Sequence, residues 1–121
     1  MKIENILKDK SFAFALRSIK CYQFLQDEKK EYILSKQLLR CGTSIGANIR
    51  EGEQAQSKID FIHKLSVALK EANETAYWLE LLNKSNYLDQ KIFNSIYVDC
   101  TELLKLLTSI IKTSKQNNEK K

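Results

Sequence analysis

Residues Leu38–Gly52, LLRCGTSIGANIREG, hold all three glycines of a chain that contains no proline. Helix-type patterns continue on both sides of this stretch, so Gly42 and Gly46 are predicted to lie inside a helix. A glycine inside a helix costs about 1 kcal/mol relative to alanine, and close approach of another backbone is the usual compensation. Gly52 is placed to end the helix, because glycine accepts the left-handed conformation at the C′ position. The stretch therefore predicts the packing element of a helical protein.

Apolar residues three and four positions apart predict four helices joined by short turns. The helices are expected at about residues 11–26, 32–51, 57–83 and 89–111. Ser57 and Asp89 are the expected N-caps of the third and fourth helices. Four helices of similar length with short connections are typical of an antiparallel up-down-up-down four-helix bundle, so the predicted fold class is all-α.

The chain of 121 residues fits a single domain. Residues 11–111 are predicted to form the bundle, and residues 1–10 an N-terminal extension. Residues 112–121, KTSKQNNEKK, are too polar to bury a core and are predicted to be a flexible basic tail. The N-terminus does not have the pattern of a signal peptide, and no run approaches the roughly 20 apolar residues of a membrane span. A cytoplasmic protein that does not contact a membrane is expected.

The first helix shows two apolar stripes on opposite sides. The richer stripe is expected to face the core and consists of Phe12, Ala15, Leu16, Ile19 and Tyr22. The second stripe consists of Phe14, Cys21 and Leu25. Because a bundle helix needs only one apolar face, the second stripe is predicted to pack against another subunit.

The other three helices each show one seam of residues that step by three and four. In the second helix it is Leu34, Leu38, Cys41, Ile45, Asn48 and Gly52. In the third it is Ile62, Leu65, Leu69, Ala72, Ala76 and Leu79, and in the fourth Phe93, Ile96, Cys100, Leu103, Leu107 and Ile110. These seams are the expected core.

Candidate catalytic groups are few. His63 is the single histidine, and Asp60-x-x-His63 has the spacing of one half of a carboxylate–histidine iron site. Such a site needs a second histidine, which the chain lacks. The three cysteines are widely spaced, which is typical of buried free thiols. No catalytic site, cofactor or metal is therefore expected.

Charge is distributed unevenly along a chain with a net charge of +5. Residues 11–52 have seven basic and four acidic side chains, whereas residues 53–111 have six and eight. The second helix presents a basic stripe away from its seam, formed by Lys36, Arg40, Thr43, Ala47 and Arg50. The third helix presents an acidic stripe formed by Val67, Glu71, Glu74 and Trp78.

These stripes allow three interpretations. Both can be solvated faces, which is the ordinary role of charged stripes. They can instead join two subunits or bind another protein, and the residues predicted for this interface are Phe14, Cys21, Leu25, Arg40, Ala47, Glu71, Glu74 and Trp78. A surface on the first two helices can also contact the phosphates of RNA or DNA, through Arg17, Lys20, Lys36, Arg40 and Arg50.

The pairs Leu39-Arg40, Ser44-Ile45, Asn48-Ile49 and Glu51-Gly52 form a recognisable motif. It resembles that of the 23S rRNA-intervening-sequence proteins, and the similarity extends over about residues 11–110. The structural motif residues are Gly42, Ser44, Gly46, Asn48, Glu51 and Gly52. The resemblance implies an up-down bundle that assembles into a ring-like homopentamer. It also implies kinship with the accessory protein of diversity-generating retroelements, which binds nucleic acid and a reverse transcriptase through a basic surface.

Overall fold

The computed structural model describes the backbone of residues 2–119 and the side chains of residues 5–117. Over that range the chain forms four helices and no strand: α1 (Lys2–Asp27), α2 (Leu34–Glu53), α3 (Lys58–Lys84) and α4 (Gln90–Glu119). Each helix packs against its neighbours in sequence, and α1 also packs against α4, the least extensive of the four contacts. The predicted all-α bundle is confirmed, and this neighbour-to-neighbour packing is consistent with up-down orientation.

Two helices are longer than predicted. α1 begins at Lys2, and Leu7, within the predicted extension, is only 1% exposed in the core. α4 continues to Glu119, and Ser114, within the predicted tail, is also buried. The residues that follow Ile111 contain neither glycine nor proline, so nothing in them ends a helix once it has started. Residues 120 and 121 of the predicted tail lie outside the described residues.

The predicted orientation of α1 is wrong. Phe14, Cys21 and Leu25 lie in the core of their own chain, at 1%, 9% and 0% exposure. The stripe expected to face the core is the outer one instead, because Phe12, Leu16 and Ile19 are 54%, 49% and 38% exposed. Phe14, Cys21 and Leu25 are therefore unavailable to another subunit.

Small residues explain this reversal. Ser11 and Ser18 share the core stripe of α1 and are almost fully buried, at 1% and 0% exposure. They face the glycines of α2: a Cβ added to Gly42 would lie 2.3 Å from Ser18 Oγ, and one added to Gly46 would lie 3.4 Å from the backbone oxygen of Ser11. The seam between α1 and α2 is so narrow that small polar residues fill it, and the bulkier apolar stripe points outward.

Gly52 does not end α2 as predicted. The helix continues through Glu53, and none of the three glycines has a positive φ. Gly52 instead packs against α3, where an added Cβ would lie 3.5 Å from Lys64 Cβ. Its role is helix contact rather than helix termination.

The seams of α2, α3 and α4 form the core broadly as predicted. Most of the named residues are buried, while Leu34, Asn48, Ile62, Leu69 and Phe93 are only partly buried. Thr75, which the apolar pattern did not include, is fully buried and satisfies its hydroxyl by donating to the backbone oxygen of Glu71 at 2.7 Å.

The helix starts are capped by side chains. Ser57 Oγ accepts from the Asp60 amide at 3.0 Å, and Asp89 Oδ1 accepts from the Ile92 amide at 2.8 Å, as predicted. The cap of α2 was not predicted. Its carboxylate belongs to Glu31, which is 7% exposed and accepts from the amides of residues 33, 34 and 35 at 3.1, 2.9 and 2.6 Å. Burial opposes ionisation of Glu31, but these amides together hold its pKa below the usual value.

Candidate interaction surface

Arg17, predicted to contact phosphate, is held by α4. Its Nη1 donates to Asp99 Oδ2 at 2.6 Å and to the Ser95 backbone oxygen at 3.0 Å, and its Nη2 donates to Ser95 Oγ at 2.9 Å. The guanidinium thus bridges α1 and α4. Three of its five N–H donors are occupied and its charge is compensated by Asp99, which weakens Arg17 as a phosphate ligand.

Arg40 is also engaged within the chain. It pairs with Glu71, Nη1 to Oε1 at 3.4 Å, and with Glu74, and Trp78 Nε1 donates to the same Glu74 carboxylate at 3.1 Å. The hydrogen bond from Trp78 and the nearby guanidinium of Arg40 hold the pKa of Glu74 below its usual value, although burial opposes them. The basic stripe of α2 and the acidic stripe of α3 therefore meet inside one protomer at Arg40, so this pairing does not require a second subunit; a role of the stripes between subunits stays a prediction.

The other three predicted phosphate ligands have different surroundings. Lys20 and Lys36 are exposed and make no ion pair with any described side chain. Arg50 is exposed and lies over the ring of Phe12, with Cζ 5.8 Å from the ring centroid. The five predicted residues therefore do not form one continuous free basic surface.

Exposed apolar side chains form a strip on the outside of α1, beside α2. We call it the α1–α2 apolar face, formed by Phe12, Leu16 and Ile19 of α1 with Ala47 of α2. Beside Phe12 lies a groove of about 380 Å³, whose lining includes Ala15, Thr43, Gly46, Ala47 and Arg50. Neighbouring α1 residues at positions 12, 16 and 19 step by four and three, so their side chains follow one edge of the helix. A rigid apolar strip beside a groove lined with small residues can receive an apolar ridge of a partner.

Sequence reasoning named Ala47 but missed the α1 half of this face. It placed Phe12, Leu16 and Ile19 in the core because they belong to the more apolar stripe of α1. Hydrophobicity alone does not show that the space beside Gly42 and Gly46 is too narrow for large side chains. The signal that could have found the face is the pairing of two serines on one helix with two glycines on the next.

The described acidic, histidine and cysteine side chains form no metal-binding cluster, since no group of three or more of them could hold a metal ion. Cys21, Cys41 and Cys100 are buried free thiols. Burial raises the pKa of the Cys21 thiol to about 11 and that of Cys100 to about 12, so both are protonated and unreactive at neutral pH.

None of the four helices, as far as the described residues go, has the length and apolar character needed to cross a bilayer.

Comparison with known proteins places this geometry in a family. The family model described as 23S rRNA-intervening sequence protein matches residues 4–109. The chain belongs to this family. It is also similar to a crystal structure of a protein of unknown function from the S23 ribosomal protein family of Bacteroides thetaiotaomicron VPI-5482. The two are 60% identical, the TM-score is 0.90, and the match covers 91% of this chain and 98% of the other. No curated protein matches this chain.

The family match confirms the resemblance found in the second-helix motif and fixes the fold. It assigns no specific function to the family. Function therefore has to be inferred from the surface.

Proposed function

We propose that this chain is a non-catalytic assembly module that associates with further copies of itself through the α1–α2 apolar face. The observation on which the proposal depends is the exposure of Phe12, Leu16 and Ile19, at 54%, 49% and 38%. Adjacent apolar side chains on a surface mark sites of protein–protein contact. A cytoplasmic location remains a prediction from the sequence.

The surroundings of the face suit an interface. Arginine at the edge of an apolar centre is typical of protein interfaces, and here Arg50 lies against the ring of Phe12. Fully burying a phenylalanine, leucine or isoleucine contributes about 1.5–3 kcal/mol. Three side chains that are about half exposed therefore contribute roughly 3 kcal/mol for each chain that buries them.

A second copy of the chain is the occupant we favour. The family resemblance implies a ring-like homopentamer, and such a ring requires an apolar surface on every protomer. The α2–α3 stripes do not supply that surface because Arg40 already neutralises Glu71 and Glu74 within the chain. The α1–α2 apolar face offers such a surface on every protomer.

The test is the mass of the Leu16→Glu variant in solution, measured by light scattering. A carboxylate at the centre of the face should lower the mass to that of the monomer or a smaller assembly, because burying an unpaired charge is costly. Val98→Glu is the matched control, since Val98 is 63% exposed on α4, away from this face. Circular dichroism should show that both variants keep their helices. A Leu16→Glu variant with the mass of the unaltered protein would refute the assignment.

Nucleic-acid contact by the basic residues of the first two helices is the second candidate function. Because Arg17 and Arg40 are held by carboxylates, it depends on Lys20, Lys36 and Arg50 alone. These engaged arginines favour the alternative, a module that contacts only protein through these helices.

A further inference from the structure

The outward side of α4 presents a row of lysines that the sequence analysis did not single out. Lys91, Lys105 and Lys112 are all exposed. They are separated by 14 and 7 residues, and seven residues fall only about 20° short of two helical turns, so the three side chains lie within an arc of about 60°. With a rise of 1.5 Å per residue, the row is about 32 Å long. We call it the α4 lysine row.

The α4 lysine row is not neutralised by its own helix. The two acidic residues in the middle of α4 are engaged by α1: Asp99 pairs with Arg17 at 2.6 Å, and Glu102 pairs with Lys10 at 3.1 Å. No ion pair joins any of the three lysines to a described side chain. Glu102 lies only about 20° from Lys91 around the helix, but its carboxylate is paired with Lys10, so both acids have a partner on α1 while the three lysines have none among the described side chains.

The true length of α4 creates the row. Had the helix ended at Ile111, Lys112 would have belonged to a tail without a fixed direction. Because the helix continues to Glu119, Lys112 stays in phase with Lys91 and Lys105. The row is a rigid, linear array of point charges.

We propose that the α4 lysine row binds the phosphate backbone of a nucleic acid. A polymer with a regularly repeated negative charge matches a straight row of ammonium groups, and lysine contacts phosphate as a point charge without reading sequence. A lipid surface fits less well because it requires an apolar face to insert, and the row contains only Val98 as an exposed large apolar side chain. This proposal does not depend on self-association, since α4 lies outside the α1–α2 apolar face.

The experiment measures binding of a short unstructured RNA, and of DNA with the same sequence, by fluorescence anisotropy across a salt series. For three phosphate contacts on a single strand, the affinity should fall with salt with a log–log slope of about 2. The triple variant Lys91→Gln, Lys105→Gln, Lys112→Gln should bind at least tenfold more weakly at low salt and lose most of that slope.

The matched control replaces three exposed lysines of α3: Lys58→Gln, Lys70→Gln, Lys84→Gln. It removes the same charge and should change affinity less than twofold. A control that loses as much affinity as the α4 variant, or an unaltered protein that binds neither RNA nor DNA at low salt, would overturn the proposal. Equal affinity for a polyglutamate peptide of the same charge would also overturn it, since that result would assign the row to acidic protein. Light scattering on the same samples measures the mass of each variant, so a loss of nucleic-acid binding can be distinguished from a loss of self-association.

Discussion

Replacing Gly42 by alanine places a methyl group where α1 and α2 come closest. The added Cβ would lie 2.3 Å from Ser18 Oγ and 2.8 Å from Ser18 Cβ. Rotation of the serine side chain can move the oxygen but not the Cβ, which is fixed to the backbone of α1. The two helices must therefore move apart, and the core contacts along this seam weaken.

The magnitude follows from two opposing effects. Overpacking a well-packed site costs about 1–3 kcal/mol, while alanine gains about 1 kcal/mol of helix propensity over glycine. Because both contacts are shorter than 3.0 Å, we take the upper part of the first range. The net loss in the free energy of unfolding is then about 1–2 kcal/mol.

Gly52→Ala is the matched control within the same helix. Its added Cβ would lie 3.5 Å from Lys64 Cβ, an ordinary contact, and Gly52 does not have a positive φ. Only the higher helix propensity of alanine remains, so the free energy of unfolding of this variant should rise by up to about 1 kcal/mol.

Urea unfolding followed by circular dichroism, at one fixed protein concentration, measures both changes. The two midpoints should shift in opposite directions. A double variant with Ser18→Gly should recover much of the loss caused by Gly42→Ala, which a double-mutant cycle detects as coupling. A Gly42→Ala protein as stable as the Gly52→Ala protein would refute the account of the narrow seam.

Two further predictions concern the cap of α2 and the seam between α1 and α4. The fold lowers the pKa of the Glu31 carboxyl, so the stability that this carboxylate contributes is present at neutral pH and is lost as the pH falls through the folded-state pKa. In the Glu31→Gln variant, the free energy of unfolding should therefore fall less steeply as the pH is lowered. Arg17→Met removes the bridge to Asp99 and Ser95 on the least extensive helix contact. Labelling of Cys21 by a thiol reagent should then accelerate several-fold, since Cys21 and Arg17 line the same groove between α1 and α4. An unchanged ratio of Cys21 to Cys41 labelling would contradict this.

Much of the fold could be predicted because it depends on local signals. Four apolar periodicities predicted the helices, and Ser57 and Asp89 are caps that a sequence displays directly. The orientation of α1 could not be predicted from hydrophobicity, because Ser11 and Ser18 take core positions that only the glycines of the neighbouring helix make narrow.

The candidate site was less predictable because it depends on which helices are neighbours. The stripes of α2 and α3 were correctly seen as basic and acidic, but the rotation of each helix about its axis decides whether they meet within a chain or between chains. Arg40 pairs with Glu71 and Glu74 of its own chain. Glu31 was assigned to a turn, and only the fold shows three amides converging on its carboxylate.

The mass of the unaltered protein in solution, followed by light scattering through a dilution series, tests the central claim most directly. Self-association through the α1–α2 apolar face predicts a mass several times the 14.1 kDa of one chain, and about five times that mass for the ring that the family resemblance implies. Dilution should lower it toward the monomer. A mass of 14.1 kDa at every concentration would contradict the account.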